Sequence, residues 1–267
     1  MKFVSTSLLA FFLLINFSCK RESNYPEPTA EEINANKDAS SAFNLLSIVG
    51  FANEMEFIAR QLPLSPSATS FLGCASITSQ TTADGKKFEV IFSSSNACTD
   101  NSIRSGKLII TYQTASGNIL ITPDNYKLAE YKVAGTYLFQ PIVEQQKDLL
   151  KLTVTNGQLT NNNGNYVKFN LEHKTNFKEG KATTETFADD VLETVSASYR
   201  IEIKNDVDGT NQFEASSASP YTLKYSCNEK FRPRSGKIKF QRVVGTDRYI
   251  LLGNGNCTDL AKISPTP

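Results

Sequence analysis

The residues able to do chemistry are few and unevenly placed: five cysteines, one histidine and no tryptophan in 267 residues. Cys19 directly follows an apolar N-terminal run, whereas Cys74/Cys98 and Cys227/Cys257 form two pairs, each bracketing a strand, turn, strand pattern. Paired cysteines of this kind belong to an oxidising compartment and predict two disulfides. Spacing alone leaves other connectivities open, and pairing within each hairpin, Cys74 with Cys98 and Cys227 with Cys257, is the economical expectation. With Cys19 reserved for attachment, no cysteine remains for catalysis. His173 stands in phase with Val167, Phe169 and Leu171 on one strand face, so it reads as a hydrogen-bonded residue at the core margin rather than a general base. One histidine excludes zinc sites built on several, and no Gly-x-Ser-x-Gly elbow marks a serine nucleophile.

Two carboxylate groupings deserve weighing. Asp189, Asp190 and Glu193, with Glu185 nearby, could supply the acids of a glycosidase, but proximity in sequence does not set two carboxylates facing across a cleft, so they read as a solvated loop. Asp206, Asp208 and Asn211 form the most metal-like fragment; without the closing glutamate of a calcium loop, a hairpin turn explains them better. The expectation is a non-enzymatic protein with no cofactor and no metal.

The ends and the charge balance bound the remaining classes. Residues 1–18 carry Lys2 and then the apolar run Leu8–Ile15, which reads as a signal peptide too interrupted to be a retained span. Ser18-Cys19 resembles a bacterial lipoprotein processing site, in which the cysteine becomes the acylated N-terminus. Residues 19–29, with Pro26 and Pro28, read as a short extended tether. The chain has 28 basic and 27 acidic residues, so losing Lys2 leaves 27 of each. Such a surface gives no electrostatic case for nucleic acid, and the short cluster Arg232, Arg234, Lys237 reads as a solvated strand end.

The elements that must position these residues are of two kinds. Over residues 30–62 apolar side chains recur at helical spacing, Leu45, Ile48/Val49, Ala52, Met55, Ala59 and Leu62, which predicts one amphipathic helix, bent or split near Gly50 or continuous through it, ended by Pro63. Its apolar face requires a covering surface. Over residues 70–264 the period becomes two, most clearly where Tyr199, Ile201 and Ile203 alternate with Arg200, Glu202 and Lys204. Turn signals at Asp84-Gly85, Ser116-Gly117-Asn118, Asn156-Gly157, Asn161–Gly164 and Asp208-Gly209 separate roughly ten to twelve strands. The fold class is mainly β with one N-terminal helix (α+β): a large antiparallel β-meander forming a curved sheet, sandwich or barrel, in a single domain over residues 30–267.

Two stretches share an order of features. Cys98-Thr99-Asp100 precedes Arg104-Ser105-Gly106-Lys107; Cys227 precedes Arg234-Ser235-Gly236-Lys237, and Cys257-Thr258-Asp259 closes the second. The repeated aspartates and glycines read as fold rather than site, the acids accepting backbone N–H groups at strand exits. These motifs, with Asp124-Asn125-Tyr126 ahead of Val133-Ala134-Gly135-Thr136 and the closing Gly253-Asn254-Gly255-Asn256, resemble a group of uncharacterised lipoproteins from Bacteroidota. The resemblance implies an exported, lipid-anchored, mostly β protein and brings no activity. The expected function is structural or binding, in the cell envelope, held at the outer membrane through acylated Cys19, with an envelope protein, glycan or lipid as ligand. The alternatives are a carrier of a hydrophobic molecule in a β cavity and a carbohydrate-active enzyme.

Overall fold

The structure is a computed structural model that describes residues 30–62, 74–93, 98, 102–181, 189–205, 209–227, 231–242 and 245–267. The signal segment, Cys19, the tether, Asp100, Glu185, Asp206 and Asp208 lie outside the described residues.

The period-two region forms β1 (Ala75–Thr82), β2 (Gly85–Phe92), β3 (Arg104–Gln113), β4 (Ile119–Leu128), β5 (Tyr131–Glu144) and β6 (Lys147–Thr160). The chain continues through β7 (Tyr166–Glu179), β8 (Val191–Asn205), β9 (Gly209–Lys224), β10 (Ser235–Arg242), β11 (Arg248–Asn254) and β12 (Lys262–Ser264). Each strand pairs antiparallel with the next, and β1 and β12 remain the two edges of one curved, unclosed sheet. Alternation decides which face turns inward: on β7, Val167, Phe169, Leu171, His173 and Thr175 are buried, and on β8 Tyr199, Ile201 and Ile203 match them. Twist accumulated over many strands curls the sheet, and the concave side holds the core.

The helix α1 (Ala30–Gln61) occupies that concavity, unbroken through Gly50. One apolar face is the sequence expectation, yet every residue from Phe51 to Ala59 is buried. The reason is the curl of the sheet: strands as distant in sequence as β4, β5, β8 and β12 all reach the helix, so it has no solvent side there. Phe51 sits between Tyr126 and Tyr137, with ring centroids 6.4 and 5.7 Å away. Nearer its start the helix is tied by Arg248 Nε, which donates to Asp38 Oδ2 at 2.8 Å, and by Asn205 Nδ2, which donates to Ser40 Oγ at 3.1 Å.

The two disulfides are Cys74–Cys98 and Cys227–Cys257, with Cα separations of 4.7 and 5.3 Å. The first closes the open end of the β1–β2 hairpin and the second that of β10–β11, so the clamps sit at the two margins of the sheet. Each repeated Arg-Ser-Gly-Lys segment makes a β-bulge, with register shifts between Ser105 and Lys107 and between Ser235 and Lys237. Gly106 (φ 83°) and Gly236 (φ 96°) permit it: a Cβ at either would lie 2.2 Å from a carbonyl oxygen, of Asn125 and Pro220 respectively.

Two local readings change. Asn156-Gly157 is no turn but a bulge inside β6, where the pairing with β7 shifts between Val154 and Gly157 and the Asn156 N–H donates to Asn170 Oδ1 at 2.9 Å. An Asn-Gly pair suits the left-handed backbone of either feature, and the long inward rows on both sides make a continuous strand the better packed solution. Arg234 is not a solvated strand end. It is buried, and its Nη1 donates to the Cys257 carbonyl at 2.7 Å, tying the second bulge to the second disulfide.

Candidate functional site: a buried polar cluster at the end of the helix

The helix carries acids into the core, and each meets a partner chosen by the sheet. Glu54 Oε1 accepts from Arg104 Nε at 3.1 Å and from the Tyr126 hydroxyl at 2.9 Å, with all three side chains buried. Burial, reinforced by the Glu54 carboxylate, pushes the Tyr126 hydroxyl well above the ordinary phenol range. Arg104 thus fixes the first bulge to the helix, as Arg234 fixes the second to the disulfide.

One helical turn further on, the cluster opens toward solvent. Glu56 and Arg60 stand at i and i+4, where helix geometry makes them neighbours. Arg60 Nε donates to Glu56 Oε1 at 2.8 Å, and its Nη2 donates to Thr175 Oγ1 at 3.0 Å. Thr175 in turn donates its hydroxyl proton to Glu56 Oε1, and His173 Nε2 lies 3.2 Å from Glu56 Oε2, off the line of a hydrogen bond. Burial alone would raise the Glu56 carboxyl, but Arg60 beside it, with His173 and Thr175, outweighs that and holds it down at about 2. The Arg60 guanidinium also covers the Phe177 ring, 4.6 Å from its centroid.

Around this pair lie buried polar atoms with no hydrogen-bond partner among the described residues: Glu56 Oε2, His173 Nδ1, Asn176 Oδ1, Asp190 Oδ1 and the Tyr225 hydroxyl. Orphaned buried groups are uncommon and each calls for a reason, so their convergence on one end of the helix marks the spot. Burial, and secondarily the neighbouring Asp189 carboxylate, raises the Asp190 carboxyl to about 6 against the pull of Arg60. Tyr225 reports the same surroundings: its backbone N–H donates to the Asp190 carbonyl at 3.1 Å, its ring meets Phe57 edge-on at 4.9 Å, and burial with the Glu56 carboxylate raises its hydroxyl.

Arg60 and Asn176 reach a pocket of about 390 Å³ between the β5–β6 turn and the end of β7. Its apolar walls are Pro141, Leu149, Leu150 and Phe177, and Lys147, Asp148 and Lys181 stand at its mouth. A larger trough of about 760 Å³ runs over the outer face of β6–β10. Its charges are spent on one another, Arg200 with Glu214 and Lys168 with Glu202, both at 3.2 Å, which is how a solvated sheet face satisfies itself.

The structure scatters most of the candidates read from sequence. Asp190 joins the cluster, whereas Asp189 is exposed and Glu193 lies 3.9 Å from Lys178 on the sheet surface, so the three do not face one another across a cleft. Asn211 lies among the first residues of β9, which starts at Gly209, and its buried Nδ2 has no partner among the described residues. Among the described residues no group of three or more His, Cys, Asp or Glu side chains is placed to hold a metal ion. Asp259 takes the structural role expected of it, accepting the backbone N–H groups of Asn254 and Asn256 at 2.7 and 3.0 Å. His173 is fully buried rather than marginal, because the helix covers its strand face. Sequence reasoning missed Glu56, Arg60, Asn176 and Tyr225; the signal that could have found the first two is an i, i+4 ion pair set inside an otherwise apolar helix end.

The chain matches no family model, no curated protein and no solved structure. No described helix is long and apolar enough to cross a membrane.

Proposed function

We propose that this is an exported, lipid-anchored protein of the cell envelope, held at the outer membrane by acylated Cys19, whose role is to bind rather than to catalyse. The observation that carries the reading is the pair of disulfides at the two margins of the sheet, which require an oxidising compartment to form and persist. The apolar run ending at Ser18-Cys19 and the resemblance to Bacteroidota lipoproteins support the anchor. A binding role is supported by the open pocket beside Arg60. The carrier reading has less support, because the concave side of the sheet, where a hydrophobic cargo would sit, is filled by Leu45, Ile48, Ala52, Met55 and their neighbours on the helix. The glycosidase reading has less support too, because Asp189, Asp190 and Glu193, the candidate acids among the described residues, do not face one another across a cleft.

The arrangement also has a direction. Asp38 and Ser40 tie the early helix to the start of β11 and the end of β8, whereas Arg60 lies by the β5–β6 turn, at the opposite end of the meander. A tether entering at Ala30 therefore presents the Arg60 end away from the membrane, across a helix of 32 residues, about 48 Å long.

The test is metabolic labelling with a fatty-acid analogue in a bacterium that processes lipoproteins. Label should appear on the wild-type chain in the membrane fraction and vanish in Cys19→Ala, which should be released as soluble protein. An unlabelled wild-type chain would end the anchor reading.

A further inference from the structure

We infer that the pocket at the end of the helix binds a small amphiphilic oxyanion, a carboxylate or phosphate group carried on a short apolar body. This rests on the binding role above and gives it a site and a ligand class.

The charge around the pocket favours an anion. Arg60, Lys147 and Lys181 face one lining acid, Asp148, which Lys181 already pairs at 3.0 Å. Those two side chains are 66% and 75% exposed, so that pair holds little energy and gives way readily. Lys147 is exposed and has no such partner among the described residues. Behind the wall, Glu56 and Asp190 both sense Arg60. Glu56 is committed to the Nε and Nη2 side of the guanidinium and to Thr175, an arrangement that fixes the planar fork rather than consuming it. Arg60 Nη1 donates to no partner among the described residues, whereas Nε and Nη2 are engaged, and an oriented guanidinium with a donor to spare suits an oxyanion.

The second observation is Asn176. Its carboxamide oxygen is buried without a partner and it lines the same pocket, so a ligand hydroxyl, amide or bound water would satisfy it. The third is the wall opposite, where Pro141, Leu149, Leu150 and Phe177 offer apolar contact to a short chain or ring. Phe177 is itself held by Arg60, so head-group and body contacts share one rigid corner. A volume of about 390 Å³ suits a compact molecule and not a long acyl chain.

The test uses the full-length chain carrying Cys19→Ala, purified without detergent, titrated with hexanoate, benzoate and inorganic phosphate, with hexanol and benzyl alcohol as neutral matches. Hexanoate or benzoate should bind saturably and about tenfold or more tightly than its alcohol, a difference of about 1.4 kcal/mol. Competition by phosphate would identify phosphate as an acceptable head group, and its failure to compete would restrict the site to carboxylates. Lys147→Glu, an exposed change away from the buried cluster, should weaken binding severalfold without lowering the melting temperature, and Asp190→Asn should strengthen it. Equal affinity for acid and alcohol, an unchanged affinity in Lys147→Glu, or no saturable binding by any of the five probes overturns the inference. Labelling of Cys19 is independent of this result: a labelled chain that binds no probe loses the site alone, and an unlabelled chain that binds hexanoate loses the anchor alone.

Discussion

Glu56 and Asp190 are two carboxyls near one guanidinium, driven in opposite directions, and they give opposite pH dependences. Glu56 titrates at about 2 in the fold and near 4.3 when unfolded. Its stabilisation is therefore present above the unfolded value and lost as pH falls through about 2. Asp190 titrates at about 6 in the fold and near 3.9 when unfolded, so its protonated form is the one the fold favours. That contribution is full below about pH 4 and disappears as pH rises through about 6. Urea denaturation between pH 4 and pH 7 should show wild-type stability declining through this window and Asp190→Asn abolishing that component of the decline; an identical slope in both proteins would contradict the assignment. Arg104 bears on the other buried acid. Arg104→Ala leaves Glu54 buried without its cation and should cost roughly 3–5 kcal/mol in the same assay. A loss below about 1 kcal/mol would mean that Glu54 finds water or another partner. At this scale little of the site was legible. Pairing within each hairpin, the economical expectation for Cys74, Cys98, Cys227 and Cys257, is the pairing found, and Asp259 takes its expected turn. Arg60 carries no mark in the sequence beyond its place in the last turn of a helix, because what makes it unusual is the strand that delivers Thr175 and His173 to the Glu56–Arg60 pair from more than a hundred residues away.

The elements were far more legible than the site, since they depend on local periodicity. The switch from a 3.6 to a 2.0 repeat after Leu62 marks the end of the helix, and the turn residues mark most of the hairpins. Asn156-Gly157 was misread because the same left-handed backbone serves a turn and a bulge, and only long-range pairing with β7 decides between them. The helix is buried on all sides over Phe51–Ala59 because the sheet wraps it, a property of curvature that no window of sequence contains. The repeated bulges yield a sharp expectation. Gly106→Ala and Gly236→Ala place a methyl group 2.2 Å from a carbonyl oxygen as well as in a left-handed conformation. Gly164→Ala and Gly209→Ala incur the conformational strain alone, since nothing lies within 4 Å of the added carbon. The second pair should lose about 1–2 kcal/mol and the first pair clearly more, measured as midpoint shifts in one denaturant series. Equal losses across the four would mean that the bulges relax without cost. Each disulfide closes a loop of 24 or 30 residues and should contribute about 3.5 kcal/mol, so replacing either cysteine pair by serine should lower the melting temperature and replacing both should lower it further; an unchanged melting temperature would contradict this.

For the whole molecule, the curved sheet wraps one long helix whose last residues open a polar pocket. Sequence supplied the helix and the meander, and the polarity of the assembly came only from knowing which turns share an end with which helix terminus. That polarity is the central claim, and β6 provides a ruler for it: 14 residues of strand separate the β5–β6 turn from the β6–β7 turn by about 45 Å. With the anchor proposed at Cys19, a donor dye placed at Lys147 or at Asn163 of the protein reconstituted in vesicles carrying an acceptor in the lipid headgroup layer measures which end faces the membrane. Energy transfer should be strong from Asn163 and weak from Lys147. Equal transfer from the two positions, or stronger transfer from Lys147, would contradict the account.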